Sequence, residues 1–267
     1  MRTWSYQAVG VASLFVAAFG FRQDLGAGHR RNSGFAEVQH HPYYGSFYFG
    51  TSQEGREGAR AWLIYLDQAQ ESGRIFVAPS MVKFSELNLK EDGSLTFQTE
   101  ELSIGSYRFS GTLKAGELTG WIDLVAAGSD KRKYSWNMTA VQVTSENAQA
   151  SSAHQVSPGR YSNVFYSDGG GDLVGVDIRF FSTTTGAKGM IVFYDDYFGG
   201  PSFTPLDLSH IEMDNQGVIQ FQTESPDGIA RYHLQITPKG ALLNRGDEPQ
   251  DKAIPLKKSR TALPSIW

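Results

Sequence analysis

The chain contains no cysteine. That excludes structural disulfides, thiolate metal sites, a cysteine nucleophile and a lipid-modified N-terminal cysteine. Charge is sparse as well: Asp, Glu, Lys and Arg make up 19% of the 267 residues and leave a formal net charge of -4. Such a balance gives no electrostatic case for binding nucleic acid or anionic lipid. The cationic residues Lys252, Lys257, Lys258 and Arg260 follow Asp247, Glu248 and Asp251 and read as a solvated end. No Gly-x-Ser-x-Gly nucleophile motif occurs. The histidines (His29, His40, His41, His154, His210 and His233) have neither an i,i+4 partner nor the ligand spacing of a zinc site. Long apolar runs are missing too, with one exception. "AVGVASLFVAAFGF", from Ala8 to Phe21, follows Arg2 but falls short of the roughly 20 residues that span a bilayer as a helix. A cationic start, a short apolar run and small residues such as Ala18 and Gly20 predict a secretory signal peptide over 1–20, cleaved near Gly20 or Ala27. The mature chain is expected to be secreted or periplasmic and not membrane-spanning.

Hydrophobic residues at 40% and aromatics at 13% suit an ordinary globular chain. Within it a phrase recurs: "GSLTFQTE" at 93–100 and "GVIQFQTE" at 217–224. Its neighbours align in order. Arg108 matches Arg231, Phe109 matches Tyr232, Leu113 matches Ile236, Gly116 matches Gly240 and Leu118 matches Leu242. Upstream, "YYGSFYFGTS" at 43 resembles "GRYSNVFYSD" at 159, and "SGRIFV" at 72 resembles "KGMIVF" at 188. "YSWNMTAV" at 134 and "AIPLKKSR" at 253 close the two copies. Self-similarity of this length signals a duplicated structural unit. The organisation is therefore a polar lead-in at 21–42, repeat 1 at 43–144, a Ser/Ala/Gln-rich linker at 145–158, repeat 2 at 159–260 and a tail at 261–267.

Each copy reads as antiparallel β. Leu95, Phe97 and Thr99 alternate with polar residues, as do Tyr232, Leu234 and Ile236. Val176, Ile178 and Phe180 face one way, Asp177 and Arg179 the other. This period of two marks half-buried strands. Turns at Asp92-Gly93, Ala115-Gly116 and Lys239-Gly240 space them as hairpins. The fold class is all-β: a tandem duplication of an antiparallel meander unit forming two small barrels, with one composite barrel or sandwich as the alternative. Phe97, Phe221, Phe109 and Tyr232 are the predicted core of the repeats, so the recurring phrase is a packing signature.

At "RFSGTLKAGELTGW" and "IPLKKSR" the chain resembles the last hairpins of lipocalin-like meander barrels of uncharacterised exported bacterial proteins. The resemblance rests on glycine and apolar positions in the C-terminal third of each copy. It implies a barrel that holds a small apolar molecule, and carries no ligand-contacting motif residue by residue.

Candidate site residues come from two places. "YDDYFGG" at 194–200 has no counterpart in the first copy: Tyr194, Asp195, Asp196, Tyr197 and Phe198 form either a carbohydrate-facing loop, a calcium site with Asp168 or Asp172, or a polar turn after a buried strand. Trp62 stands near an aromatic first strand (Tyr43, Tyr44, Phe47, Tyr48 and Phe49), whose rings predict a lined interior on one face and a contact surface on the other. The run "SDGGGDLVG" lacks the following helix of a phosphate loop and reads as a hairpin turn. Glu100 and Glu224, a conceivable carboxylate pair for glycoside hydrolysis, occupy equivalent repeat positions, which duplication explains without catalysis. The preferred reading is an exported non-enzymatic binding or structural barrel for a small apolar or carbohydrate ligand, without cofactor. The alternatives are a secreted carboxylate-dependent hydrolase and a cell-envelope interaction module.

Overall fold

A computed structural model describes residues 45–53, 59–144, 156–167, 173–194, 204–225, 228–246, 248, 252–259 and 261–265. The expected signal peptide, the lead-in at 21–42 and linker residues 145–155 lie outside the described residues.

The alternating stretches become strands. In the first half of the chain these are β1 (Ser46–Gln53), β2 (Ala59–Asp67), β3 (Ser72–Val77), β4 (Ser80–Leu89), β5 (Ser94–Thr99), β6 (Ser106–Lys114), β7 (Glu117–Val125) and β8 (Arg132–Gln142). Each pairs antiparallel with the next, and β8 pairs back onto β1, so the meander closes into an eight-stranded barrel. Closure removes both sheet edges.

The second half supplies β9 (Gly159–Ser162), β10 (Phe165–Tyr166), β11 (Leu173–Val174), β12 (Val176–Thr183), β13 (Gly186–Phe193), β14 (Leu206–Asp207), β15 (Ser209–Met213), β16 (Val218–Ser225), β17 (Gly228–Thr237), β18 (Gly240–Arg245) and β19 (Ile254–Ser259). β9 pairs β12, β12 pairs β13, and β13 pairs β14, which only Leu208 separates from β15. β15 to β19 then follow as a meander, and β19 pairs β9. The order of pairings repeats that of the first barrel, with the β10–β11 hairpin inserted after the first strand. No helix among the described residues is long and apolar enough to cross a membrane.

The recurring phrase occupies β5 and β16, and its letters have physical reasons. Phe97 stands opposite Phe109 in the ladder, their rings stacked at 5.1 Å; Phe221 stands opposite Tyr232, stacked at 5.5 Å. All four rings are buried, each pair in its own barrel's interior. Gln98 pairs with Arg108 across the ladder and accepts a bond from its Nε at 2.8 Å, and Gln222 pairs with Arg231 in the same register. The Thr99 hydroxyl accepts the backbone N–H of Tyr107, and Thr99 and Thr223 are both buried.

One part of the sequence alignment needs correcting. β6 and β7 pair Leu113 with Leu118, while β17 and β18 pair Ile236 with Ala241. The structural counterpart of Leu118 is thus Ala241, not Leu242, which faces outward and is exposed. The second hairpin turns at Pro238-Lys239, one residue earlier than the glycine match implies. A slip of one residue exchanges the faces of a strand.

The alternation of β12 is as expected, but its outer face is not solvated. Phe47, Phe49, Leu63 and Tyr65 on the outside of the first barrel share a buried cluster with Phe181, Met190 and Val192 of the second. Backbone bridges Leu206↔Arg60 and Val143↔Thr183 join the same faces. Asp177 and Arg179 sit here, both buried. Arg179 donates from Nε and Nη2 to Asp177 and from Nη1 to the Ala262 carbonyl, while Arg160 donates to the other Asp177 oxygen at 2.7 Å. A buried carboxylate between two guanidiniums keeps its desolvation offset.

Candidate functional site

Inward-facing positions of β2 are set by its pleat. Trp62, Ile64 and Leu66 belong to the first barrel's interior, whereas Ala61, Leu63 and Tyr65 point outward. Arg60 shares the parity of Trp62, so the chain places an arginine at an inward position one step from the strand's start. On β8 the same parity runs through Tyr134, Trp136, Met138 and Ala140, and on β6 through Tyr107 and Phe109. Deep in the barrel these side chains fill the space, with Phe84, Phe97 and Phe109 stacked in succession. Small barrels ordinarily fill in this way.

At the end where Arg60 lies the filling stops. A cavity of about 620 Å³ opens there, lined among others by Trp62, Tyr107, Leu124, Tyr134 and Trp136, with Val77, Val82, Leu102 and Ile104 around them. Trp62 meets Trp136 at 5.5 Å and Tyr107 edge-on at 5.7 Å, and Tyr134 stacks on Trp136 at 5.6 Å. The Trp62 indole N–H donates to Ser52 Oγ at 2.8 Å, which fixes its ring. Tyr134 is 47% exposed and stands at the rim, whereas Trp136 is buried. The Arg60 guanidinium lies 4.4 Å from the Trp136 ring centroid and 5.4 Å from that of Trp62. Such placement over aromatic faces is favourable for a cation. Burial raises the Tyr107 phenol above its ordinary pKa, and the neighbouring Arg60 charge pulls it back. Thr204 and Pro205, which precede β14, complete the wall, and the Pro205 carbonyl accepts the Ala61 N–H.

Among the described lining residues Arg60 is the one charged group. No cluster of three or more His, Asp or Glu that could hold a metal occurs among the described residues.

The sequence-predicted residues scatter relative to this cavity. Trp62 lines it. Tyr194 is instead 3% exposed and packed in the cluster between the barrels, where burial and the Asp177 charge raise its pKa. Asp195, Asp196, Tyr197 and Phe198, with Asp168 and Asp172, lie outside the described residues. Glu100 and Glu224 are exposed at the ends of equivalent strands in separate barrels. Arg60, Tyr107, Tyr134 and Trp136 were not read as a site from the sequence. The available signal was parity: a cation in step with Trp62 on a strand whose inward face is otherwise apolar.

Compared with family models, with curated proteins and with solved structures, the chain has no match.

Proposed function

We propose that this chain is an exported, non-enzymatic binding protein made from a tandem copy of one meander unit. Its first barrel takes a small apolar molecule into its aromatic mouth. The observation that carries the reading is the cavity of about 620 Å³ at one end of the first barrel, with the barrel's aromatic residues around it. A concave apolar space with one convergent polar group is the usual form of a small-molecule site. Export rests on Arg2 and the apolar run from Ala8 to Phe21, and the N-terminal residue of the mature protein tests it.

Binding is tested by calorimetric titration of the full chain with a neutral aromatic probe, 2-naphthylmethanol. Saturable one-to-one binding is expected. Ser103→Trp, which fills the mouth from an exposed loop position, should weaken it by about tenfold or more. Replacement of Trp121, 54% exposed on the barrel's outer surface, should leave it unchanged. Absence of saturable binding, or equal binding to the Ser103→Trp variant, removes the reading.

A further inference from the structure

We propose that Asp207 is a protonation switch for the mouth of the first barrel: with its carboxyl neutral, the segment 204–208 stays seated as one wall of the cavity, and on ionisation the segment loosens and the small apolar molecule is released. This rests on the apolar-ligand reading above and adds its regulation. Three observations carry it. First, the wall belongs to the other barrel. Thr204 and Pro205 line the cavity of the first barrel, while the residues after them run as β14 along β13 of the second. Second, few contacts seat the segment. β14 is two residues long. The Ala61 N–H donates to the Pro205 carbonyl at 2.8 Å, Leu206 bridges Arg60 through the backbone, and the Leu208 N–H donates to the Gly189 carbonyl at 3.0 Å. A short element held by so few bonds opens more readily than a long ladder. Third, the segment carries an acid with poor provision for its charge. Asp207 stands opposite Met190, which belongs to the cluster between the barrels, and its Oδ1 is buried without a partner among the described residues. Ionisation there leaves a charge that water would solvate far better, so it favours the unseated segment.

The surrounding charges do not offset that cost. Burial raises the Asp207 pKa from 3.8 to about 7, against the opposing pull of Lys188 on β13. On β2 the charged group is Arg60, at the bridge to Leu206. On β16 it is the exposed Glu224, two residues on from Gln222, the ladder partner of Ser209. Arg179 on β12, opposite Met190, is engaged by Asp177 and the Ala262 carbonyl. The sign follows from linkage. Below 3.8 the carboxyl is neutral whether or not the segment is seated. Above it the unseated segment releases the proton and the seated one keeps it, so seating and affinity weaken as pH rises and level off past about 7. A molecule that binds only the seated wall therefore draws a proton onto the protein near neutral pH.

The test titrates 2-naphthylmethanol, which stays neutral throughout, into the full chain by calorimetry. Affinity is expected to fall by about tenfold or more between about pH 5 and about pH 8. Proton uptake on binding, read near neutral pH from the dependence of the heat on the buffer, tests the switch on the unaltered chain without any variant. In Asp207→Asn affinity should stay level across the range, near the unaltered chain's value in acid, with no proton taken up. Glu224→Gln should leave the pH dependence in place. Binding by the unaltered chain that is level in pH and takes up no proton overturns the switch and leaves the apolar reading standing. A pH dependence that survives in Asp207→Asn, or disappears in Glu224→Gln, overturns the role of Asp207. Failure of the probe to bind at every pH in the range removes the apolar reading itself, and this inference with it.

Discussion

Two carboxylates, Asp177 buried and Asp207 half-buried, show how much a single residue's surroundings decide. Asp177 is held by Arg179 and Arg160 in the contact between the barrels. Removing one member of such a group leaves the other charge buried and unpaired. Asp177→Ala is expected to cost about 3–5 kcal/mol in urea denaturation, because burial and the neighbouring Arg160 charge then act on Arg179 without the carboxylate that offsets them. The double variant Asp177→Leu with Arg179→Met should lose much less. Asp207 has no comparable set of partners: its Oδ1 is buried without one among the described residues, and burial raises its pKa from 3.8 to about 7 against the opposing pull of Lys188. The sign follows from linkage. Below pH 3.8 the group is protonated in both states. Above it the unfolded chain releases the proton while the folded chain keeps it, so stability falls as pH rises and levels off past about 7. Asp207→Asn should flatten that slope and raise stability at alkaline pH by on the order of 1–3 kcal/mol; equal slopes in the two proteins would exclude it. The sequence alternation shows that Asp177 and Arg179 point away from their own barrel. It does not show that a second barrel covers them, because a period of two records one face only.

At the scale of the strand, small residues mark where backbones approach or rings lie flat. Gly50 on β1 pairs with Ala140 on β8, at the seam that closes the first barrel. A Cβ added at Gly50 would lie 2.5 Å from the Ala140 Cβ and 2.8 Å from the Thr139 carbonyl oxygen. Gly50→Val should therefore force the seam apart and cost about 1–3 kcal/mol, visible as a lower Tm. Gly111 and Gly120 face each other across β6 and β7, and a Cβ on either would meet Phe109 Cζ within 2.9 Å. The ring of Phe109 thus covers two glycines, whereas the second barrel has Leu234 opposite Leu243 at the same ladder position. Volume moves between neighbours while the barrel's section is kept, as close packing requires. This exchange explains what was legible. The phrases at 93–100 and 217–224 were readable because Phe97 and Phe221 have the same ladder partner in each barrel. The hairpin after β17 was misread by one residue because Gly240 drew the alignment, although the strand register fixes Ala241 as the inward residue. Arg60 was within reach of the same reasoning, since "ARAWLIYLD" puts it in step with Trp62. A cavity depends on how side chains from six strands fail to meet, and spacing along one strand cannot show that.

For the whole molecule the decisive feature is that β2 and β12 are buried on both faces. Each barrel has its own interior cluster, and a third cluster lies between them. Apolar residues on both sides of a strand, as in "ARAWLIYLD" and "VDIRFFST", are the sequence trace of such double coverage. Phe181 is central to the contact: it is 2% exposed, its ring is 5.2 Å from that of Phe49, and its backbone neighbour Phe180 points into the second barrel instead. The Arg179 guanidinium lies 5.0 Å from the Phe76 ring in the same contact. With this surface intact, neither barrel can unfold without exposing its partner's outer aromatics, so the unaltered chain should lose structure in one transition seen alike by tryptophan fluorescence and far-ultraviolet circular dichroism. Phe181→Asp places a carboxylate in the contact and leaves both interiors untouched. Its desolvation opposes docking of the barrels without opposing the closure of either. The expected outcome is two transitions. The tryptophan signal should report the barrel that holds Trp62, Trp121 and Trp136, and circular dichroism should report both. A single coincident transition in Phe181→Asp, at unchanged midpoint, would mean that the rings of Phe49 and Phe181 do not couple the two barrels.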